Sequence, residues 1–184
     1  TKAQLTVLAG PTAVGKGTVV AALTKRYPAL KVSVSATTRD PRPGELNGVH
    51  YYFVSPQEFD AMIERGDMLE WALVHGKNKY GTPRGPVDEA LNAGHPVLLE
   101  IDLAGARQVR ANRPDAQFIF LAPPSWEELE RRLIGRGTEG PEEQARRLAT
   151  ARVELQAASE FDHVVINDDV ERAVDELARL IGLE

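Results

Sequence analysis

The chain contains no cysteine, which excludes a disulfide framework and any zinc–thiolate site and is compatible with a reducing cytoplasm. Positive charge is in deficit: 22 Lys and Arg stand against 27 Asp and Glu, a net charge of −5. That balance argues against general affinity for nucleic acid or an anionic membrane, so any clustered basic residues are expected to serve a local anionic ligand. Long apolar runs are missing too. No stretch approaches the roughly 20 residues of a membrane span. The N-terminal TKAQLTVLAGP lacks a signal-peptide cleavage pattern, because its apolar stretch runs on into a glycine-rich segment. A soluble, cytoplasmic protein is expected. No internal repeat or low-complexity tract occurs, and 184 residues suffice for one sizeable core with inserted subdomains.

What is present begins with LAGPTAVGKGTVV. Gly10, Gly15 and Lys16 fit the first seven positions of G-x-x-x-x-G-K-[ST], a loop whose successive backbone N–H groups surround a polyphosphate. The eighth position is Gly17, and the hydroxyl comes one place later on Thr18. Context supports the match: QLTVLA reads as a buried strand, and GTVVAALTKRY as a helix whose N-terminus points at the anion. Lys16 is expected to reach the outer phosphates. An ordinary glycine-rich turn between strand and helix is the alternative.

Strand-like runs recur at LTVLA, VHYYFV, PVLLEI, AQFIFLA and HVVIN between helical patterns, which predicts an α/β core with a mainly parallel sheet. Two stretches break that rhythm. Residues 34–84 are rich in turn residues and aromatics and read as an inserted small β-plus-helix lobe, with Ser55, Pro56 and Glu58 forming a helix start. Residues 126–156 are helical and dense in arginine, with Ser125 and Glu128 at a helix start and Gly135, Gly137, Gly140 and Pro141 as punctuation.

At the end of PVLLEID, Glu100 and Asp102 lie two apart, on one side of an extended strand at the edge where α/β ligands bind. An acid there commonly partners a phosphate loop in holding Mg2+. Capping of the helix LAGARQVRAN is the other reading of Asp102.

Nearly the whole chain resembles the guanylate kinase family. The resemblance rests on GPTAVGKGT, SVSATTRDPRPGELNGVHYYF, EWA with YGT, EIDLAGA, APPS, GRGTE and VVIND in that order. It implies a three-layer phosphate-loop fold and transfer of the γ-phosphoryl of Mg·ATP to GMP or dGMP. The core would comprise residues 1–33, 85–125 and 157–184, with 34–84 the GMP-binding lobe and 126–156 a helical lid. ATP and its Mg2+ would be held along Gly10, Pro11, Thr12, Ala13, Val14, Gly15, Lys16, Gly17 and Thr18, with Thr18 or waters toward the metal and Asn167 near the adenine. A turn at the strand end is the other reading of Asn167.

The resemblance also implies that Arg39 and Arg42 fork onto the GMP phosphate beside the Tyr51 and Tyr80 hydroxyls, chemistry suited to bringing two charged phosphates together. Glu70 would accept from guanine N1–H and N2–H, and Ser35 and Thr82 would donate toward O6. Asp102 lies between this guanine role and the Mg2+ role. Lys16, Arg136 and Arg147 would be catalytic. Arg131, Arg132, Arg146 and Arg152 would be lid partners or helix-surface charges, with Arg132 next after Arg136 and Arg147 for a catalytic role. Trp71, Trp126, Phe53 and Phe118 are expected in packing.

Two departures from the family pattern stand out. Thr12 and Ala13 replace a frequent Ser-Gly, so a left-handed backbone at Ala13 costs more than at glycine. Three other readings are weighed: a non-catalytic guanylate-kinase-like module that recognises phosphorylated peptides, a kinase for another monophosphate or a phosphorylated sugar, and a regulatory GTPase. The module typically lacks the loop lysine and lid arginines, which this chain has. Glu70 with Ser35 and Thr82 argues for guanine, and NKYG lacks the aspartate of the GTPase guanine motif.

Overall fold

The computed structural model describes residues 3–135 and 139–184. The chain begins with β1 (Leu5–Ala9), α1 (Lys16–Arg26) and β2 (Lys31–Val32). It continues through β3 (Ala36–Thr37), β4 (Tyr52–Phe53), α2 (Pro56–Glu64), β5 (Met68–Val74) and β6 (Asn78–Pro83). Then come α3 (Arg84–Asn92), β7 (Val97–Glu100), α4 (Leu103–Asn112) and β8 (Gln117–Ala122). The last part holds α5 (Trp126–Ile134), α6 (Pro141–Gln156), a 3₁₀ turn at Ala157–Glu160, β9 (His163–Ile166) and α7 (Val170–Ile181).

Five strands form a wholly parallel sheet in the order β2-β7-β1-β8-β9. Its central strand LTVLA is buried at every position, as a strand covered on both faces requires. Alternation splits it between two cores. Leu8 packs with Val19, Leu23, Leu98, Ile119 and Leu177 under α1 and α7, whereas Leu5, Val7 and Ala9 pack with Val87, Leu99, Val109 and Phe118 under α3 and α4. Arg26 of α1 pairs with Glu171 and Asp175 of α7, joining the two helices of one layer. The result is three layers with a parallel sheet in the middle: the sheet is as the apolar pattern predicted, and the three layers are as the resemblance implied.

The run VHYYFV contributes no strand to this sheet. Only Tyr52–Phe53 is extended, and it belongs to a second sheet, β4-β3-β6-β5, in which β3 pairs parallel with β4 and antiparallel with β6. The sequence reading also passed over the longest pairing there, between β5 and β6 across a turn with His75 and Gly76 at positive φ. A small separate core of Ala36, Phe59 and Met68 lies between this sheet and α2, where Ser55 Oγ accepts from the Glu58 N–H as read. Leu129, Leu133 and Ala151 join α5 to α6 in another.

Candidate functional site

The loop between β1 and α1 is held closely on all sides. A Cβ at Gly10 would lie 2.4 Å from the Leu121 carbonyl oxygen, so β8 closes the space any larger residue would need. Ala13 (φ 71°) and Gly15 (φ 94°) are both left-handed on either side of buried Val14. The cost anticipated at Ala13 is therefore incurred. Such alternation turns N–H groups inward as an anion nest, and α1 starts directly behind it.

Lys16 Nζ donates to Gly10 O at 2.7 Å, so the side chain curls over the loop it belongs to. Burial lowers its pKa, while Glu154, Glu100 and Asp102 pull it back up.

Glu100 and Asp102 leave β7 toward this loop. A Cβ on Gly17 would lie 3.9 Å from Glu100 Oε1, beside Thr18. Asp102 caps α4, its Oδ1 accepting from the Gly105 N–H at 2.7 Å. Capping does not exhaust its surroundings. A Cβ on Gly105 would lie 3.1 Å from both Asp102 Oδ1 and Glu70 Oε2, so a glycine leaves room for two converging carboxylates.

Glu70 stands in an aligned row. Thr82 of β6 is opposite Glu70 of β5, and Gly81 is opposite Ala36 of β3. Extending these registers by one residue sets Ser35 beside Thr82 and Tyr51 beside Ser35. Tyr51, Ser35, Thr82 and Glu70 thus share one face across four strands. Thr82 is buried, and its hydroxyl donates to Glu70 Oε1 at 2.7 Å. Burial raises the Glu70 pKa, the Thr82 hydrogen bond lowers it, and the Asp102 charge adds to the rise.

Two residues along from Thr82, Tyr80 meets Tyr51 edge-on, with ring centroids 6.0 Å apart. The Arg39 guanidinium stacks 5.2 Å from the Tyr51 ring centroid. Its position comes from Glu45, whose two oxygens each accept at 3.0 Å, one from each terminal guanidinium nitrogen. Glu45 also accepts from the Arg42 backbone N–H at 2.7 Å, and these bonds hold its carboxyl down at about 2.

The family model described as Guanylate kinase matches residues 2–184. The chain belongs to the guanylate kinase family. It is 61% identical to the guanylate kinase of Leifsonia xyli subsp. xyli (strain CTCB07), covering 97% of this chain and 70% of that protein. It is equally identical to that of Thermobifida fusca (strain YX), over 97% of this chain and 91% of the relative. The crystal structure of guanylate kinase from Anaplasma phagocytophilum superposes with a TM-score of 0.72 at 32% identity, covering 98% of this chain and 85% of that one.

Within this guanylate kinase fold, the arginine-rich segment touches the loop through some residues and keeps others to itself. Arg147 pairs with Glu139 at 2.7 Å and Glu143 at 3.8 Å on its own segment. It lines a cleft of about 310 Å³ that also touches Thr12 and Glu154. Arg136 lies outside the described residues. Arg132 donates to Val14 O at 3.2 Å, and Arg152 stacks over Trp126. Arg42 is exposed, its backbone tied to Glu45.

Three contributors escaped sequence reasoning. Glu45 carried one signal, an acid three residues after Arg42 in a Pro- and Gly-rich loop. Gln108 bonds both the N–H and the carbonyl of Trp71, at 3.0 and 2.9 Å, and so fixes β5 against α4 beside Glu70. Glu154 of α6 faces Lys16 and the Thr12 N–H, and burial raises its pKa. Nothing in a helical acid among arginines distinguishes it beforehand.

Proposed function

We propose that this chain transfers the γ-phosphoryl group of ATP to GMP or dGMP, giving ADP and GDP or dGDP. The observation that carries the reading is the convergence of Asp102 and Glu70 on Gly105 at the end of the same strand whose Glu100 faces Gly17 of the loop. The loop and the guanine-reading carboxylate thus flank one corner of the molecule.

In this reading the N–H groups from Thr12 to Thr18 cradle the triphosphate, and Lys16 exchanges Gly10 O for the outer phosphate oxygens. Glu70 accepts from guanine N1–H and N2–H while Ser35 and Thr82 address O6. Arg39, Arg42, Tyr51 and Tyr80 hold the GMP phosphate in line with the γ-phosphorus. Residues 34–84 form the GMP lobe and residues 126–156 the lid, which closes to bring Arg136 and Arg147 to the transferring group and to exclude water. Arg147 then gives up Glu139.

Thr18, Glu100 and Asp102 all offer oxygen, the hard-ligand chemistry that magnesium requires. They would hold the Mg2+ accompanying ATP, directly or through water, and that ion would supply neutralisation of phosphate charge.

A coupled ADP-release assay across GMP, dGMP, AMP, CMP and UMP tests the proposal. Turnover confined to the two guanine substrates is the expected result, and equal turnover of AMP would reject it.

A further inference from the structure

Asn167 follows β9 and is followed by two acids with helix duties. Asp169 caps α7 by accepting from the Glu171 N–H, and Asp168 pairs with Arg172. Asn167 instead turns inward. It is 5% exposed, its backbone N–H is fixed to Ala122 O at 2.8 Å, and its Nδ2 donates to Val14 O at 2.8 Å. A Cβ added to Gly15 would lie 2.9 Å from that same Nδ2, so the amide is packed against the loop backbone with no room between.

The acceptor is the informative atom. Val14 lies between two left-handed residues, Ala13 and Gly15. In such a sequence of backbone conformations the N–H groups converge on the ligand side and the carbonyls are turned away, toward the protein. A carbonyl turned into the interior needs a donor, or the loop relaxes to an arrangement in which its N–H groups diverge. Val14 O has two, Asn167 Nδ2 and Arg132 Nη1, and the second is at 3.2 Å on a half-exposed side chain. The buried donor is the shorter and the more constrained.

We infer that Asn167 is a positioning residue for the phosphate loop: its amide holds the Val14 carbonyl from behind and so keeps the loop's N–H groups converged before nucleotide arrives. The inference rests on the phosphate-loop reading and differs from a contact between Asn167 and adenine. An adenine contact would matter only for ligands that carry the base. A clamp on the loop matters for any polyphosphate.

The test compares wild type, Asn167→Ala and Asn167→Asp by calorimetry, with three probes: magnesium tripolyphosphate, a non-hydrolysable ATP analogue and GMP. Asn167→Asp replaces the donor with an acceptor of the same shape, and Asn167→Ala removes it without adding charge, which keeps the test open if the aspartate variant folds poorly. The expected result is an equal loss of affinity for tripolyphosphate and the ATP analogue, by about tenfold or more, with GMP affinity retained. The preference for ATP over GTP as phosphoryl donor should not change. Unaltered tripolyphosphate binding beside weakened ATP would overturn the inference in favour of a base contact. Unaltered binding of both, or a parallel loss of GMP affinity, would overturn it in favour of packing alone. Wild-type protein that binds neither polyphosphate would instead reject the phosphate-loop reading.

Discussion

Thr82 Oγ1 donates to Glu70 Oε1 at 2.7 Å, across the β5–β6 register that places the two residues opposite each other. The bond orients the carboxylate but does not cancel the effect of burial, which raises the Glu70 pKa above its ordinary 4.5.

That raised pKa has opposite consequences for stability and for binding. Between 4.5 and the raised value the folded chain holds a proton the unfolded chain has released, so the Glu70 contribution to stability falls as pH rises through that window. Guanine needs the ionised form, so kcat/KM for GMP should fall as pH drops through the same window. In Glu70→Gln the acid limb should disappear, GMP efficiency should drop steeply and discrimination against AMP should shrink, because an amide nitrogen replaces one acceptor. Initial rates from pH 4.5 to 8 measure all three. A variant with wild-type efficiency and selectivity would move the guanine contact to Asp102.

Glu45 should act through Arg39. Glu45→Gln removes the charge from a two-bond pair, so KM for GMP should rise about tenfold with a smaller change in kcat and none in KM for ATP. The contribution of the pair to stability is present above the ordinary carboxylate value and is lost as pH falls from 4.5 toward about 2, where the folded Glu45 titrates. The acid limb assigned to Glu70 should therefore persist in Glu45→Gln. Steady-state kinetics with each substrate varied in turn checks both statements.

Lys16→Met keeps most of the aliphatic stem and removes the charge above the loop. Turnover should fall by orders of magnitude while the melting temperature stays near wild type, since among the described residues the ammonium's hydrogen bond is to Gly10 O. Near-normal turnover would rule out the assigned role of Lys16.

Closure should be measurable because the chain lacks cysteine and accepts labels at chosen sites. Gln57 on α2 and Ala149 on α6 are exposed. Spin labels on Gln57→Cys and Ala149→Cys should move closer when an inert bisubstrate analogue binds, and Arg147→Ala should close with less catalytic benefit. Tight binding at unchanged distance would remove closure from the mechanism.

Legibility in the sequence followed contiguity. The loop between β1 and α1 could be read because Gly10, Gly15 and Lys16 fall within seven residues between a buried strand and a helix. The three-layer core could be read because parallel strands covered on both faces are continuous apolar runs. The second sheet was harder: β5 ends in three exposed residues, so its burial does not alternate, and the hairpin passed unseen. The row of Tyr51, Ser35, Thr82 and Glu70 arises only from register between distant strands. Glu45, Glu154 and the inward turn of Asn167 depend on where other elements pack, and local spacing carries no trace of that.

The placement of Asn167 also dates the loop within the life of the chain. β1 is synthesised first but lies at the centre of its sheet, and the strands flanking it begin at Val97 and Gln117. The donor for Val14 O comes later still, after β9. During synthesis this segment therefore emerges with its loop sequence complete and its partners untranslated, and such long-range pairing slows folding. Nucleotide affinity should accordingly be among the last properties a nascent chain acquires, appearing only once residues beyond 167 have left the ribosome.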